Sequence, residues 1–509
     1  MRERPHILVV MVDQLSALFL RAYGHKVTKT PVIDRLAEEG VLFENAYCPS
    51  PLCAPARAVF MTGLLPSANG VYDNAAELGS SIPTFAHHLR LEGYRTVLSG
   101  KMHFVGPDQL HGFEERLTTD VYPGDFGWTP DWSRPDERID WWYHNMRSVK
   151  EAGVAEITNQ LEYDDEVAFT SIRRLYDYAR YEHDAPLMLC VSFSHPHDPY
   201  VARRRYWDLF RDDEIDPPAA PGLPYEQRAP HDRRLWHAAA MDQVEVTDED
   251  VRRSRHGYYA NLAYVDEKIG EVLAALEGCG LADETIVIFL SDHGEFLGEH
   301  GLFYKMSFRE HPSRVPLVVH APARYAARRV RQAVSLADLA PTLADLARPG
   351  LSGELARPVD GQSFASLLEG DAEDPEATVY GEYLAECVPR PMVMIRRGRW
   401  KFVHMPGDPD ELFDLEGDPL ELENRAARED ALVREFRDEV DRRWSLEALE
   451  QEVRASQRSR LTVFEALQLG ERHSWDYQPV RPAQSQYTRN TMDVADRDRQ
   501  SRFPPVATT

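Results

Sequence analysis

The residues with the clearest capacity for chemistry lie between positions 49 and 63, where Cys53 is followed by Pro55 and Arg57. The proline predicts that a helix begins here, because proline is favoured at the first position of a helix. A helix N-terminus attracts anions through its unpaired N–H groups and positive partial charge. A free cysteine is more often a small buried hydrophobe than a nucleophile. If this thiol is reactive, an anionic ester held at the helix start would meet Cys53 and Arg57 together.

Four predicted strands end in polar residues that could take part in the same chemistry. Short β-branched runs alternate with helical patterns, which is typical of a mostly parallel sheet flanked by helices. The residues that follow the strands 7–12, 94–99, 187–193 and 285–290 are Asp13, Gln14, Lys101, His103, His195, His197, Asp292 and His293. Ligands of open α/β sheets bind at the carboxyl ends of the strands. We therefore expect these side chains to converge on one crevice.

Two of these pairs suggest a metal site. Asp13, Gln14, Asp292 and His293 form a mostly oxygen ligand set suited to a divalent cation such as Ca²⁺ or Mg²⁺. An alternative role for His293 is to orient a ligand. A lone histidine is more often a hydrogen-bonded structural residue than a catalytic one, and spacing alone does not choose between His195 and His197.

The spacing of Cys53, Pro55 and Arg57, followed by Thr62-Gly63, resembles the signature of type I sulfatases of the alkaline phosphatase-like superfamily. In that family a maturase oxidises the cysteine to formylglycine (3-oxoalanine). The family pattern often has serine where this chain has Ala56. The resemblance implies an α/β fold with a large, mixed, mostly parallel central sheet flanked by helices, a smaller C-terminal α+β domain and an extended tail.

The resemblance also implies a mechanism. The hydrate of formylglycine at position 53 attacks sulfur, with Asp292 as base, and a sulfated hemiacetal forms. His197 and Lys305 then protonate or stabilise the leaving oxygen. His103 helps to eliminate sulfate, which regenerates the aldehyde. The side chains that neutralise the sulfate charge together with the metal are Arg57, Lys101 and Lys305.

The implied metal ligands are Asp13, Gln14, Cys53, Asp292 and His293. Gln14 and His293 depart from the commonest Asp and Asn ligands of sulfatases. They resemble the variant shared by choline sulfatases and phosphonate monoester hydrolases. One divalent cation is expected, Ca²⁺ first, with Mg²⁺ or Mn²⁺ as alternatives.

An aromatic insert at residues 121–146 holds four of the nine tryptophans, Trp128, Trp132, Trp141 and Trp142. Aromatic faces attract quaternary ammonium groups. The alternative is a long loop that packs on its own aromatic side chains. Asp and Glu residues interleave with these rings, and a site for sulfate alone would not favour them. We therefore expect a positively charged leaving group to bind here.

The stretches 72–77 (YDNAAE), 100–117 and 140–146 (DWWYHNM) resemble choline sulfatases, and the likeness runs along nearly the whole chain. It implies hydrolysis of choline-O-sulfate to choline and sulfate, with a role in glycine betaine biosynthesis and osmoprotection. The implied substrate-binding residues are Asn74, Trp128, His144, Glu382 and Asp496. Glu386 is a less favoured substitute for Glu382, and Asp493 is an alternative to Asp496.

Composition shifts predict three segments. Residues 1–375 form the catalytic domain, and an acidic, Gly- and Pro-containing linker at 369–376 separates it from a small domain at 376–455 with an antiparallel sheet and a helix. Residues 456–509 form a tail rich in Arg, Gln, Asp and Pro. Choline sulfatases carry a similar tail that packs on neighbouring subunits. The resemblance therefore implies a homo-oligomer, a dimer or a tetramer.

Charge and cysteine content exclude several function classes. The 509 residues carry a formal net charge of −26, which argues against nucleic acid or an anionic membrane as a partner. Five cysteines without regular spacing indicate a reducing cytoplasm rather than a disulfide framework. The first apolar run is too short for a signal peptide, and no segment is apolar enough to span a bilayer.

Three functions fit these observations. The first is a choline sulfatase. The second is a phosphonate monoester hydrolase or phosphodiesterase, which would share the metal ligands without requiring the aromatic insert. The third is a non-catalytic binding protein for a sulfated osmolyte, in which Cys53 is never oxidised.

Overall fold

The first predicted strand lies inside the central sheet of the molecule. The computed structural model describes residues 4–135, 137, 145–182 and 184–469. His6–Asp13 is buried along its whole length, with strands Thr285–Ser291 and Leu187–Pro196 parallel to it on either side. Successive side chains of a strand point to opposite faces, so a strand that is apolar throughout requires cover on both faces.

The central sheet has eight strands and is mixed. Their spatial order is Arg328–Val330, Val41–Phe43, Leu317–His320, Thr285–Ser291, His6–Asp13, Leu187–Pro196, Arg95–Gly100 and Glu115–Arg116. Leu317–His320 runs antiparallel to both of its neighbours, and the other adjacent strands run parallel to each other. Val41–Phe43 is followed by a separate short strand, Ala46–Tyr47, because Glu44 and Asn45 form a turn between them.

Helices cover the two faces of the sheet and build two separate hydrophobic cores. Ile7 and Val9 belong to one core, and Leu8 and Val10 belong to the other. The helices of the first face are Cys53–Thr62, Phe85–Leu91 and Leu339–Ala347, and the long helices of the second are Asn159–Tyr181 and Asp248–Gly278. This architecture confirms the predicted fold class.

A second, antiparallel sheet follows the first in the chain. Its four strands are Thr378–Tyr383, Met392–Arg397, Trp400–His404 and Glu411–Asp414. The helix Asp430–Arg443 covers it, with Phe436 and Val440 packed on Val393 and Phe402. The sequence predicts an antiparallel sheet and a helix in this part of the chain.

The last described helix, Leu446–Leu467, crosses position 456, where the sequence predicts the start of the tail. Its Gln457 accepts a hydrogen bond from the Trp132 N–H at 2.9 Å, so the helix is packed against the aromatic insert. The remaining helices are Pro31–Glu39, Pro66–Asn69, Arg147–Lys150, Arg204–Trp207, Pro230–Ala238, Glu310–Ser313 and Ala365–Glu369. The remaining short strands are Ala46–Tyr47, Gly153–Val154, Val201–Ala202, Arg314–Val315 and Val334–Ser335.

Some predicted features lie outside the described residues. These are His144, Trp141, Trp142, Asp493, Asp496 and the tail beyond residue 469. Among the described residues, no helix combines the length and the apolar character needed to cross a membrane.

Candidate active site

Cys53 is the first residue of the helix Cys53–Thr62 and is 1% exposed. The helix therefore begins two residues before Pro55, and the proline occupies the first turn, where its missing N–H would have had no partner in the helix. The Ala54 N–H, another donor of this turn, bonds to Asn74 Oδ1 at 2.9 Å. Asn74, which the sequence predicts to contact substrate, thus caps the helix that carries Cys53.

Cys53 lies in a buried cluster with Asp13, Asp292 and His293, whose ligand atoms are all within 4.8 Å of one another. The Cys53 Sγ to His293 Nε2 distance is 3.2 Å. Asp13 Oδ1 is buried, lies 3.6 Å from His293 Nε2 and has no hydrogen-bond partner among the described residues. An unpaired buried carboxylate oxygen is costly. Two carboxylates, one of which has this unpaired oxygen, and an imidazole together fit a divalent cation.

Gln14 connects this cluster to Lys305. Its backbone N–H donates to Asp292 Oδ1 at 3.1 Å, and its side-chain oxygen accepts from Lys305 Nζ at 2.5 Å. Its side-chain nitrogen donates to Asp198 Oδ1 at 3.3 Å and to Glu295. Gln14 has a φ of 66°, a backbone conformation that non-glycine residues rarely adopt. Its role as a metal ligand stays a prediction.

Arg57 is fully buried, and its guanidinium is bonded to the protein. It donates to Asp292 Oδ2 at 2.8 Å, to Asp13 Oδ2 at 3.2 Å, to Ser192 Oγ at 2.9 Å and to the Lys101 carbonyl at 2.6 Å. Burial alone would lower its pKa, but Asp292 and Asp13 raise it above its ordinary value. Arg57 therefore orients the two carboxylates, and its contact with the ester stays a prediction.

Lys101 and His103 follow the strand Arg95–Gly100. Gly100 has a φ of 103°, and a Cβ there would lie 1.9 Å from the Ser192 carbonyl oxygen, so the turn requires glycine. Lys101 forms an ion pair with Asp13. Burial alone would raise the pKa of Asp13, but the positive charge of Lys101 outweighs burial and holds this pKa well below its usual range. The buried His103 ring lies against other aromatic rings, and neither of its nitrogens has a hydrogen-bond partner within the described ranges.

The structure separates the two histidines that spacing leaves open. His195 Nδ1 contacts Asp164 Oδ2 at 2.6 Å, whereas His197 Nε2 lies 2.9 Å from Lys305 Nζ. His197 Nδ1 lies 2.7 Å from the Asp198 carbonyl oxygen. A carbonyl oxygen only accepts, so Nδ1 carries the proton and Nε2 accepts from the lysine. His197 therefore belongs to the Lys305 cluster.

Lys305 is fully buried, with its Nζ 3.4 Å from Cys53 Sγ. Burial alone would lower the pKa of Lys305, but Cys53, Asp13 and Asp198 raise it above its ordinary value, and the side chain is an ammonium. Burial alone would raise the pKa of Cys53, but Lys101 and Lys305 lower it well below its ordinary value. The Met306 N–H, donating to the Pro51 carbonyl at 3.1 Å, ties this loop to the segment that precedes Cys53.

Glu382 is hydrogen-bonded within the protein. Its Oε1 accepts from Ser67 Oγ and Trp444 Nε1, each at 2.7 Å, and its Oε2 accepts from the Ser67 N–H at 2.7 Å. These bonds tie the C-terminal sheet to the helix Pro66–Asn69. Both carboxylate oxygens of Glu382 are thus bonded to the protein, and these contacts favour a structural role over the predicted binding of substrate.

Glu386 has the free carboxylate that Glu382 lacks. It is 7% exposed and, within the part of the chain that the structure describes, its carboxylate accepts only from its own backbone N–H. Burial raises its pKa to about 8, and Lys305 and Cys53 are close enough for their charges to affect it. Glu386 also lines a cavity of about 450 Å³ together with Trp132 and Arg234. From sequence, Glu386 ranks below Glu382, because the resemblance to choline sulfatases implies Glu382 as the substrate-binding residue.

The aromatic insert contributes one wall that adjoins the catalytic cluster and one structural tryptophan. Trp128 is half-buried, with its ring centroid 5.8 Å from the His103 ring and 5.5 Å from the Tyr122 ring. Trp132 is buried and donates to the Ala385 carbonyl at 2.8 Å. Tyr122 was missed as an individual residue. Asp120, two residues before it, accepts a hydrogen bond from the His103 N–H at 2.8 Å, and this contact brings Tyr122 to the site.

Comparisons with known proteins agree with this geometry. The family model described as Sulfatase matches residues 5–349, and the model described as choline sulfatase enzyme C terminal matches residues 451–503. The chain is 49% identical to a choline-sulfatase of Rhizobium meliloti (strain 1021), over 98% of this chain and 99% of that protein. It is 28% identical to the multifunctional alkaline phosphatase superfamily protein PehA of Trinickia caryophylli, over 85% of this chain and 94% of that protein.

Solved structures share the fold. The phosphonate monoester hydrolase of Agrobacterium radiobacter superposes with a TM-score of 0.68 at 27% identity, covering 88% of this chain and 96% of that one. Sulfatases hydrolyse sulfate esters and use a divalent metal and a formylglycine, for which this chain has the buried ligand cluster and Cys53. The match over most of its length and the near-complete alignment with a choline-sulfatase show that the chain belongs to the sulfatase family.

Proposed function

We propose that this protein hydrolyses choline-O-sulfate to choline and inorganic sulfate. The observation that carries the proposal is Glu386, a buried carboxylate without a cationic partner among the described residues, close enough to Cys53 and Lys305 to sense their charges. A buried carboxylate of this kind favours a cationic ligand, because an opposite charge stabilises its ionised form. The 49% identity to a choline-sulfatase supports the same substrate.

The site divides into two ends. The sulfate end consists of Asp13, Cys53, Lys101, His197, Asp292, His293 and Lys305. To the cation end we assign the adjoining rings of Tyr122 and Trp128, together with Glu386, whose carboxylate is close enough to Cys53 and Lys305 for their charges to affect it. Lys101 and Lys305 supply two ammonium groups for the sulfate oxygens, in a water-poor setting where fixed charges act strongly. The cation end supplies aromatic faces and one negative charge for the trimethylammonium group.

Cys53 is the residue that we expect a maturase to oxidise. The formylglycine so formed would add water, and its hydrate would supply a hydroxyl nucleophile in place of the thiol. A carboxylate oxygen of Asp292 lies within 4.8 Å of Cys53 Sγ in the same buried cluster, so this carboxylate can accept the hydroxyl proton. Arg57 keeps this carboxylate oriented through its 2.8 Å bond.

The expected cation is Ca²⁺, with Mg²⁺ or Mn²⁺ as alternatives. Asp13, Asp292 and His293 would hold it together with the modified residue 53 and, by resemblance, Gln14. When bound, it would withdraw charge from the sulfate oxygens. Oxygen donors from the carboxylates favour a hard cation, while the imidazole nitrogen is the reason to keep Mn²⁺ under consideration.

Choline leaves as an alkoxide, so its oxygen requires a proton. Lys305 Nζ lies between Cys53 Sγ and His197 Nε2, at 3.4 Å and 2.9 Å. Its N–H can donate to the leaving oxygen as the S–O bond breaks, while His197 Nε2 accepts another N–H of the same ammonium and holds it in place. His103 lies beside Tyr122 and Trp128 and close enough to Cys53 to lower the pKa of its thiol, so it can accept the proton whose removal releases sulfate.

Two further properties belong to the proposal. We expect a homo-oligomer, a dimer or tetramer, in which the tail brings Asp496 to a neighbouring site and His144 contacts the choline group. We also expect a cytoplasmic enzyme, since five cysteines without regular spacing favour a reducing compartment. Size-exclusion chromatography with light scattering, on the full chain and on a chain ending at residue 469, measures the contribution of the tail to assembly.

The second candidate is a phosphonate monoester hydrolase, which the shared fold favours. Comparing kcat/KM for choline-O-sulfate, an aryl sulfate and a phosphonate monoester separates the two activities. We expect choline-O-sulfate to be preferred, and a clear preference for the phosphonate would contradict the proposal. Mass spectrometry of the peptide that contains Cys53 separates both enzymes from a binding protein, because an unmodified thiol in fully active protein would exclude the formylglycine mechanism.

Dialysis against a chelator tests the metal. We expect turnover to fall and to return on addition of Ca²⁺. The melting temperature should also fall on chelation, because a ligand that binds only the folded state stabilises it. An unchanged melting temperature and unchanged turnover after verified metal removal would contradict a bound cation.

A further inference from the structure

Tyr122 contacts residues from both ends of the site. Its ring lies under the Lys101 ammonium, 4.2 Å from Nζ to the ring centroid. Its hydroxyl oxygen is 3.3 Å from His197 Nδ1. Its ring centroid is 5.5 Å from those of both His103 and Trp128. We propose that Tyr122 is a positioning residue that sets the place of Lys101 through its ring and of His197 through its hydroxyl. This inference rests on the proposed function.

The ring acts on the sulfate side. Lys101 is fully buried, and its ammonium has two neighbours of favourable charge, the Asp13 carboxylate and the face of Tyr122. The negative face of an aromatic ring attracts a cation most strongly when water is excluded. Asp13 alone would draw the lysine toward the metal ligands. The Tyr122 ring attracts the same ammonium, so that Lys101 is held between Asp13 and Tyr122, where it can contact a sulfate oxygen.

The hydroxyl acts on the leaving-group side. His197 Nδ1 lies near the Asp198 carbonyl at 2.7 Å, Asp198 Oδ1 at 3.3 Å and Tyr122 Oη at 3.3 Å. Gln160 Nε2 donates to the same carbonyl at 2.8 Å and lies 3.5 Å from Tyr122 Oη. Tyr122 and the carbonyl together fix the imidazole plane. Nε2 is thereby aimed at Lys305, the group that protonates the leaving oxygen.

Two substitutions separate these effects. Tyr122→Phe keeps the ring and removes the hydroxyl, so it disturbs only proton delivery to the leaving oxygen. We expect kcat for choline-O-sulfate to fall by about tenfold with KM nearly unchanged, and kcat for p-nitrophenyl sulfate to change by less than about twofold, since nitrophenolate leaves without a proton. Tyr122→Leu also removes the ring, so kcat/KM should fall by about tenfold or more for both substrates.

The matched control is Tyr178→Phe. Tyr178 is a buried tyrosine whose hydroxyl donates to the Ala185 carbonyl at 2.5 Å, beside the start of the strand Leu187–Pro196 and remote from its catalytic end. We expect this variant to lower the melting temperature with the kinetic constants of both substrates unchanged. A loss in Tyr122→Phe that matches the control, or that is equal for the two substrates, would overturn the role of the hydroxyl.

The ring has its own test. A Tyr122→Leu variant that is no more impaired than Tyr122→Phe on p-nitrophenyl sulfate would overturn the role of the ring. Circular dichroism and the melting temperature establish that each variant is folded, and Tyr122→Phe decides the hydroxyl claim even where the leucine variant does not fold. If the proposed function is wrong, the wild-type enzyme will not prefer choline-O-sulfate over a neutral alkyl sulfate. In that case, comparing alkyl with aryl sulfates in the Tyr122 variants still tests the role of Tyr122.

Discussion

The sulfate end and the cation end of the site differ in how firmly the protein holds them. At the sulfate end, Arg57 and Lys101 fix the carboxylates, and Lys305 bonds to Gln14 and approaches Cys53 and His197. At the cation end, Glu386 receives a hydrogen bond only from its own backbone within the described ranges. Groups that act on the reacting atoms are positioned by the protein before substrate binds. The carboxylate that selects the substrate has no side-chain partner in the described part of the chain and is paired by the substrate itself.

This difference has a physical reason. The reacting atoms require geometry that is set before substrate arrives, because reorganisation during the reaction adds to the barrier. Selection for a trimethylammonium group needs only an unpaired charge and apolar faces of suitable size. Changes at the sulfate end should therefore affect every sulfate ester, changes at Trp128 or Glu386 should affect choline-O-sulfate alone, and Tyr122, which contacts both ends, should affect both.

The largest expected effect comes from Cys53→Ala, because it removes the nucleophile. We expect kcat to fall by at least about 10⁴-fold for all sulfate esters, with the melting temperature little changed. Cys279→Ala, at a half-buried cysteine on the surface, is the control and should leave turnover unchanged. Residual turnover within tenfold of wild type in Cys53→Ala would contradict the assignment.

Lys305→Met is expected to lower kcat by about 10²- to 10³-fold for choline-O-sulfate, since it removes one charged donor from the reacting group. The matched control is Lys401→Met. Lys401 is another fully buried lysine, on the strand Trp400–His404 of the C-terminal sheet. It forms ion pairs with Glu310 at 2.8 Å and Glu421 at 2.6 Å. It should lower stability without lowering kcat of the folded enzyme, and equal kinetic losses in the two variants would show that Lys305 acts only through stability.

Glu386→Gln sharpens the contrast between the ends. We expect kcat/KM for choline-O-sulfate to fall by about 10- to 100-fold and that for p-nitrophenyl sulfate to change by less than about twofold. Glu382→Gln is the control, four positions away in the chain and bonded to Ser67 and Trp444. It should lower the melting temperature and leave the ratio of the two substrates unchanged. A shift in that ratio in Glu382→Gln alone would reverse our assignment.

The sequence predicts the fold and most of the sulfate end, because residues after parallel strands meet at one edge of the sheet. It predicts less well what depends on the direction of a side chain. Arg57 follows the signature spacing, yet its donors are directed at Asp13 and Asp292. The sequence favours Glu382 over Glu386, and only the tertiary packing of Glu382 against Ser67 and Trp444 reverses this order.

The pH dependence of binding tests the raised pKa of Glu386. Burial raises this pKa to about 8, and only the ionised carboxylate attracts the ammonium group. KM for choline-O-sulfate should therefore fall by about tenfold between pH 6 and pH 8, and this change should be absent in Glu386→Gln. Since the folded pKa lies above the ordinary value, the contribution of this group to the stability of the free enzyme is lost as pH rises toward 8. A KM with the same pH profile in wild type and variant would contradict the assignment.

The smallest kinetic effect is expected from Arg460→Met. Arg460 reaches from the helix Leu446–Leu467 to Asp73, with two bonds of 2.6 and 2.7 Å, next to Asn74. Leaving Asp73 buried and unpaired should cost about 3–5 kcal/mol in the free energy of unfolding, measured in urea. We expect kcat/KM to fall by only about threefold, through the Asn74 cap of the Cys53 helix. Arg458→Met, at an exposed position of the same helix, is the control and should change neither quantity.

The central claim is that a positive charge on the leaving group is recognised. The most direct measurement compares choline-O-sulfate with 3,3-dimethylbutyl sulfate, which replaces the quaternary nitrogen by carbon and keeps the shape. We expect kcat/KM of the wild-type enzyme to favour choline-O-sulfate by at least about 100-fold and this preference to fall by at least about tenfold in Glu386→Gln. Equal rates for the two esters in the wild-type enzyme would contradict the claim.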